Sequence, residues 1–203
     1  MPSSLSKDEI EAVIAFHGHS CPGLSIGIRA AELARREFGA VPDSELVCVS
    51  ETDMCGVDAI QYLLGCTFGK GNLIHRDYGK MAFSFHHRPS GKGFRVILKP
   101  EARGDMADEL AALHRKISAG NGDETDKQRA ADLRKSMQDK IMDADLHDLF
   151  LITEPKTEMP GGPRILESLA CEECGEAAME SRTRRFAGRT LCIPCFMKFE
   201  QKL

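Results

Sequence analysis

The hydrophobic positions among the first 40 residues repeat with helical spacing. Residues 7–17 form a short amphipathic pattern in which Ile10 and Ile14 lie on one face. A second predicted helix begins at Pro22, because proline fits the first helical turn and disfavours helical geometry in the residue before it. Its apolar stripe continues to Phe38, after which a glycine ends it.

Short apolar segments in the middle of the chain predict a sheet. The predicted strands are residues 45–51, 72–76, 80–87 and 93–99. A helix around residues 57–64 separates the first strand from the second, and an apolar run at 149–152 is expected to return to the sheet. Strands mixed with long helices in this order predict an α+β core, a sheet with packed helices.

Two polar helical segments follow the predicted sheet, at about residues 104–118 and 124–142. In the second segment Leu133, Met137 and Ile141 form a narrow apolar stripe. Because the stripe is thin for a helix of the core, it favours contact with another chain.

The composition changes after residue 153, where three prolines and two glycines occur within fifteen residues. This composition is typical of a linker or an extended arm. We therefore predict an α+β core domain at residues 1–155, a linker at 156–167 and a small zinc-ribbon or finger-type domain at 168–203.

Charge and cysteine content narrow the class of protein. The chain has 203 residues, a formal net charge of −4 and eight cysteines. It contains no apolar run of about 18 residues and no secretory signal pattern at its start, so no membrane contact is expected. Cysteines in a chain of this kind favour metal binding in a reducing cytoplasm over a disulfide framework.

Four cysteines near the C-terminus have the spacing of a zinc site. The ligands predicted for a structural zinc ion are Cys171, Cys174, Cys192 and Cys195. About 36 residues cannot bury enough apolar surface to fold alone, so the metal supplies folding free energy. Two redox-active cysteine pairs and an iron site are the alternatives. The module resembles the four-cysteine fingers of the TraR/DksA type, which are associated with transcription machinery.

The predicted finger also carries a cluster of positive charge. The arginines between its two cysteine pairs are Arg182, Arg184, Arg185 and Arg189. A basic ribbon of this kind is suited to phosphate contacts, which makes a nucleic acid one candidate partner and a protein another. The alternative is that these arginines form ion pairs with the neighbouring glutamates and carry no binding function.

A second candidate metal site lies between the first two predicted helices. His17, His19 and Cys21 alternate along an extended loop and can project to one side. Imidazole and thiolate ligands suit zinc, nickel or iron. Cys55 or Asp53, which follow the first predicted strand, could complete the site. A buried histidine beside an inert cysteine is the purely structural alternative.

The same residues also permit catalysis. Cys21 precedes a helix, where the helix dipole and free amide groups stabilise a thiolate nucleophile. His17 or His19 would then act as the base, and Lys70, in a glycine-rich loop, would contact an anionic substrate. The candidate catalytic residues are therefore Cys21 and His19.

Three segments together resemble the FmdE family, which takes its name from a component of molybdenum formylmethanofuran dehydrogenase. They are FHGHSCPGLSIGIRAAELA (16–34), ETDMCGVDAIQYLLGCTFGKGNLI (51–74) and DYGKMAFSF (77–85). The resemblance implies an α+β core, a homodimer and, in some members, a C-terminal zinc finger. The family's motif histidines and cysteines correspond to His17, His19, Cys21 and Cys55.

The resemblance alone does not imply a reaction, because the family name refers to an enzyme whose pterin cofactor is bound by a different polypeptide. We therefore expect a metal-binding accessory or regulatory protein with structural zinc and a second transition metal in the core. One alternative is a metal- or thiolate-dependent enzyme linked to a formylmethanofuran dehydrogenase-type complex. Another is a transcriptional regulator that binds nucleic acid or protein.

Overall fold

A computed structural model describes residues 3–102, 104 and 106–199 of the chain. The chain forms two compact units, which meet in sequence between Gly162 and Pro163. We call the first unit the body and the second the finger unit. The described residues include no helix that is both long and apolar enough to cross a membrane.

The long helices of the body lie where the hydrophobic spacing predicts them. They are α1 (Lys7–His17), α2 (Pro22–Phe38), α3 (Gly56–Leu64), α4 (Met106–Ser118) and α5 (Glu124–Asp143), and the short α6 (Leu146–Leu149) follows. The start of α1 is fixed by a capping box, in which the Ser6 hydroxyl accepts from the Glu9 N–H and the Glu9 carboxylate accepts from the Ser6 N–H.

A five-stranded mixed sheet forms the centre of the body. Its strands are β1 (Leu46–Ser50), β2 (Leu73–His75), β3 (Ala82–His87), β4 (Gly93–Leu98) and β5 (Phe150–Thr153). The strand order is β2-β1-β3-β4-β5, with β1 parallel to β2 and the other pairs antiparallel. The prediction of an α+β core is confirmed.

The main core lies between the sheet and the helices. Phe83 and Phe85 of β3 are fully buried and belong to the same apolar cluster as Leu24 and Ile28 of α2. Cys48 of β1 is buried in this cluster as well, and burial raises the pKa of its thiol. These contacts fix α2 against the sheet.

A buried ion pair joins β4 to the residue that follows β1. The Arg95 guanidinium donates to both carboxylate oxygens of Glu51, at 2.5 and 2.9 Å, and both side chains are buried. These hydrogen bonds lower the pKa of Glu51. A bidentate pair of this geometry fixes the chain at the start of the segment that leads to Cys55.

Helices α2 and α3 cross in backbone contact. A Cβ atom built on Gly27 would lie only 2.2 Å from the carbonyl oxygen of Gly56. Glycine at this position therefore lets the second turn of α2 approach the start of α3 more closely than any side chain would allow. The crossing brings together the two helix N-termini that carry Cys21 and Cys55.

The prediction that the apolar stripe of α5 contacts another chain is wrong. Leu133 and Met137 pack against Leu110 of α4 in a small apolar cluster, and Ile141 belongs to the main core. The stripe is narrow because α5 buries only the strip that faces α4 and α2, while its remaining surface is exposed.

The finger unit consists of two short hairpins and a helical turn. Its elements are β6 (Ser168–Ala170), β7 (Ala177–Met179), β8 (Thr183–Phe186), β9 (Arg189–Cys192) and α7 (Ile193–Phe196). Its core contains Leu191 and three of the four cysteines, with Phe186 and Phe196 against them. So small a core stabilises little by itself.

Candidate metal centres

The four cysteines of the finger unit converge on one point. Their Sγ atoms all lie within 4.8 Å of one another, and those of Cys174 and Cys192 are 3.9 Å apart. A tetrahedral zinc ion with bonds of about 2.3 Å holds its sulfur ligands about 3.8 Å apart. The donor set therefore fits zinc in both chemistry and spacing.

Local hydrogen bonds hold the cysteine turns in this arrangement. Cys171 follows β6, and the turn after it closes when the N–H of Gly175, at a φ of +75°, donates to the Cys171 carbonyl. Cys192 ends β9 and Cys195 lies in α7, so the second pair is placed by the start of a helical turn. The Cys192 N–H donates to the Cys171 Sγ at 3.3 Å.

The electrostatics of this cluster favour a bound cation. The backbone N–H groups of Cys174 and Cys192 lower the pKa of Cys171 to about 6. Burial and the neighbouring thiols raise the pKa of Cys195 to about 12. Four thiolates this close together repel one another unless a cation neutralises them.

The finger arginines differ in their contacts. Arg189 forms an ion pair with Glu173 at 2.7 Å, and Arg185 donates to the Thr190 hydroxyl. Arg182 and Arg184 contact only the carbonyl of the residue before each of them, within the part of the chain that the structure describes. One arginine is thus paired with a glutamate, and two are available to a partner.

The second group of metal-ligand side chains lies in the body. One ligand atom from each of His17, His19 and Cys21 lies within 4.8 Å of the others, and we call these residues the front cluster. His17 ends α1, and Gly18, at a φ of +92°, reverses the chain after it. Cys21 caps the start of α2, where its Sγ accepts from the Leu24 N–H at 3.4 Å.

A hydrogen bond to a carboxylate orients the His17 ring. Its Nδ1 lies 2.7 Å from the Asp58 carboxylate, and its Nε2 lies 3.9 Å from the Cys21 Sγ. Gln61 donates to the other Asp58 oxygen at 3.1 Å. With Nδ1 protonated towards Asp58, the Nε2 lone pair is directed into the front cluster, as in metal sites whose histidine is held by a carboxylate.

Cys55 lies beside the front cluster but outside the three-residue group. A Cβ atom built on Gly23 would lie 3.7 Å from the Cys55 Sγ and 3.9 Å from the Cys21 Sγ, so the two thiols flank this glycine. Burial and the adjacent Cys21 thiol raise the pKa of Cys55. Asp53 is exposed and is not part of the group.

Lys70 does not approach the front cluster. Cys55 precedes α3, whereas the loop with Lys70 follows the other end of that nine-residue helix. The Lys70 ammonium forms an ion pair with Asp43 at 2.8 Å. The Asn72 side chain accepts from the Thr67 N–H, so the loop is internally bonded.

Asp58 is a site residue that the sequence analysis does not predict. Its signal was present, because Asp58 lies three residues after Cys55 at the start of a helix and therefore one turn along the same face. The pairing of Asp58 with His17 spans 41 residues, however, and depends on how α1 packs against α3.

Known protein families match both units of the chain. The model of the FmdE family (FmdE, molybdenum formylmethanofuran dehydrogenase operon) matches residues 16–151, and that of the prokaryotic dksA/traR C4-type zinc finger matches residues 164–201. A crystal structure of a tungsten formylmethanofuran dehydrogenase FmdE-like protein from Syntrophus aciditrophicus has the same fold, with a TM-score of 0.61. It is 24% identical, and the match covers 98% of this chain and 96% of that one.

A curated relative from Archaeoglobus fulgidus, described as a probable S-adenosyl-L-methionine-binding protein, is 29% identical over 191 residues. The match covers 89% of this chain, which spans about half the length of that relative. The FmdE match includes the front cluster, strands β1 to β4 and the first half of β5, and the four converging cysteines lie within the zinc-finger match. This chain therefore belongs to the FmdE family and is a metal-binding member with a C-terminal C4-type zinc finger.

Proposed function

We propose that this chain is a metal-binding accessory or regulatory protein in which zinc supports the finger unit and a second transition metal binds to the body. His17, His19 and Cys21 supply three ligands and Cys55 supplies the fourth. The observation that carries the proposal is the convergence of the front cluster, whose ligand atoms lie within 4.8 Å of one another. Histidine and thiolate donors suit zinc, nickel or iron.

The surroundings of the front cluster support a metal role over a structural one. His17 is held by Asp58 through the ring nitrogen that points away from Cys21, which leaves the other nitrogen free to bind an ion. His19 is exposed, so it stabilises no core and an ion can enter and leave on its side. A four-ligand set leaves no position for a reacting water, which favours sensing, storage or delivery of the metal over catalysis.

Metal content of the full-length protein tests the proposal. The chain, loaded separately with zinc, nickel or iron and then desalted, is expected to lose one metal ion per chain when His19→Ala and Cys21→Ser are combined. The matched control is His147→Ala with Cys66→Ser, which changes an exposed histidine and a buried cysteine away from the cluster. Equal metal content in the cluster variant and the wild type, with all three metals, would contradict the proposal.

A metal-dependent enzyme is the second candidate. The three-residue group excludes Cys55, and three protein ligands with one open position are the arrangement of catalytic zinc sites. Azide added to the cobalt-loaded protein distinguishes the two functions. Under our proposal azide leaves the visible absorption of the wild type unchanged and shifts it in Cys55→Ala, whose fourth position is open. A shift in the wild type would favour the enzyme.

The partners remain predictions. A homodimer follows from the family resemblance alone, and a protein or nucleic acid bound by the finger follows from its exposed arginines. Arg182 and Arg184 are the residues on which a phosphate contact would depend, since Arg189 is engaged by Glu173.

A further inference from the structure

A groove with two adjoining parts runs along the body under α4. The inner part has a volume of about 240 Å³ and lies between the start of α2, α4 and α5. The outer part has a volume of about 400 Å³ and extends towards the end of β4. Met81 and Ala107 line both parts, so the two parts adjoin at these residues.

The inner part is open because small side chains of α4 line it, and among the described residues its polar lining side chain is that of His114. Ala107 and Ala111 of α4 face Ile26 of α2 and Ile141 of α5 across the space. Helix α4 packs on α5 through Leu110, which also lines this part of the groove. This part begins at Pro22 and Gly23, the two residues that follow Cys21.

The outer part is predominantly positive. Lys80 and Lys99 line it, and the Lys140 ammonium approaches Gly104 at its edge. Lys99 donates to the His147 carbonyl, and the charge of Lys80 helps to lower the pKa of the Glu51 carboxyl, after the larger effect of Arg95. Asp108 is the carboxylate that lines this part. Among the described residues at this end, the ammonium groups of Lys80, Lys99 and Lys140 outnumber the carboxylates of Asp108 and Glu51.

We propose that this groove binds a small anionic amphiphile. The apolar group of the ligand lies between α2, α4 and α5, and its carboxylate or sulfonate contacts Lys80. At about 30 Å³ for one water molecule in the liquid, the inner volume corresponds to an apolar group of about eight non-hydrogen atoms. Because the inner end begins next to Cys21, the ligand lies beside the front cluster. Binding in the groove does not require the metal, so it is tested independently of the proposed function.

The probe is 8-anilinonaphthalene-1-sulfonate, whose fluorescence rises in apolar surroundings, added to the full-length protein. We expect Ala111→Phe, which fills the inner part, to weaken binding about tenfold or more. Lys80→Glu, which reverses the charge at the outer end, is expected to weaken it about fivefold or more. The controls are Ala112→Phe, on the exposed side of α4, and Lys92→Glu, at a different surface cavity.

Far-ultraviolet circular dichroism and urea unfolding establish that each variant is folded as the wild type is. Weaker binding in both groove variants, with the two controls at wild-type affinity, supports the proposal. Wild-type affinity in Ala111→Phe, or a larger loss in Lys92→Glu than in Lys80→Glu, would overturn it. An absence of saturable binding to the wild type would overturn it as well.

Discussion

Replacing Cys171 with serine is expected to release zinc from the finger unit and to unfold it. The core of this unit contains Leu191 and three of the zinc-site cysteines, so little apolar burial remains once the metal is lost. Structural zinc contributes about 10–16 kcal/mol of apparent binding free energy in finger peptides, which equals or exceeds the total stability of many domains, roughly 5–15 kcal/mol.

Zinc content and amide hydrogen exchange of the full-length protein measure this effect separately for the two units. In Cys171→Ser we expect rapid exchange for residues 163–199 and wild-type protection for the strands of the body, which has its own core. Cys66→Ser is the matched control, because the Cys66 thiol donates to the Leu46 carbonyl and a hydroxyl can do the same. Slow exchange in the finger of zinc-free Cys171→Ser would mean that the metal does not hold this unit together.

The parts of the fold that depend on local spacing could be predicted from the sequence. The start of α2 follows from Pro22, and the strands follow from short apolar segments between turns. The convergence of the finger cysteines could be predicted as well, because two close pairs joined by a short ribbon leave few arrangements. In each case the residues that determine the structure lie within about 20 positions of one another.

Two contacts position the front cluster and the segment that leads to Cys55. They could not be predicted, because they join residues far apart in the chain. His17 and Asp58 are 41 positions apart, and Glu51 and Arg95 are 44 apart. No spacing rule relates such residues, since their meeting depends on which helix faces pack together. The partner of the α5 stripe is unpredictable for the same reason, because the width of the stripe does not indicate that α4 covers it.

Gly27 determines how closely the two helices that carry Cys21 and Cys55 approach each other. Helix propensity alone predicts that Gly27→Ala stabilises the protein by up to about 1 kcal/mol, since Gly27 lies inside α2. The added methyl group would, however, lie 2.2 Å from the Gly56 carbonyl oxygen, which is backbone and cannot rotate away. The helices must separate, at a cost that for overpacked sites is about 1–3 kcal/mol and occasionally more.

We therefore expect Gly27→Ala to lower the free energy of unfolding by about 2 kcal/mol and to move Cys55 away from Cys21. Gly56→Ala provides a graded comparison, because its methyl group would meet the Gly23 carbonyl at 3.1 Å and the Gly27 Cα at 3.3 Å. Gly69→Ala is the control, since no atom lies within 4 Å of its added methyl group. In urea unfolding we expect the largest loss of stability for Gly27→Ala, a smaller loss for Gly56→Ala and the smallest loss for Gly69→Ala. A Gly27→Ala protein as stable as the wild type would mean that the helices tolerate separation. The close crossing would then not be what places Cys21 beside Cys55.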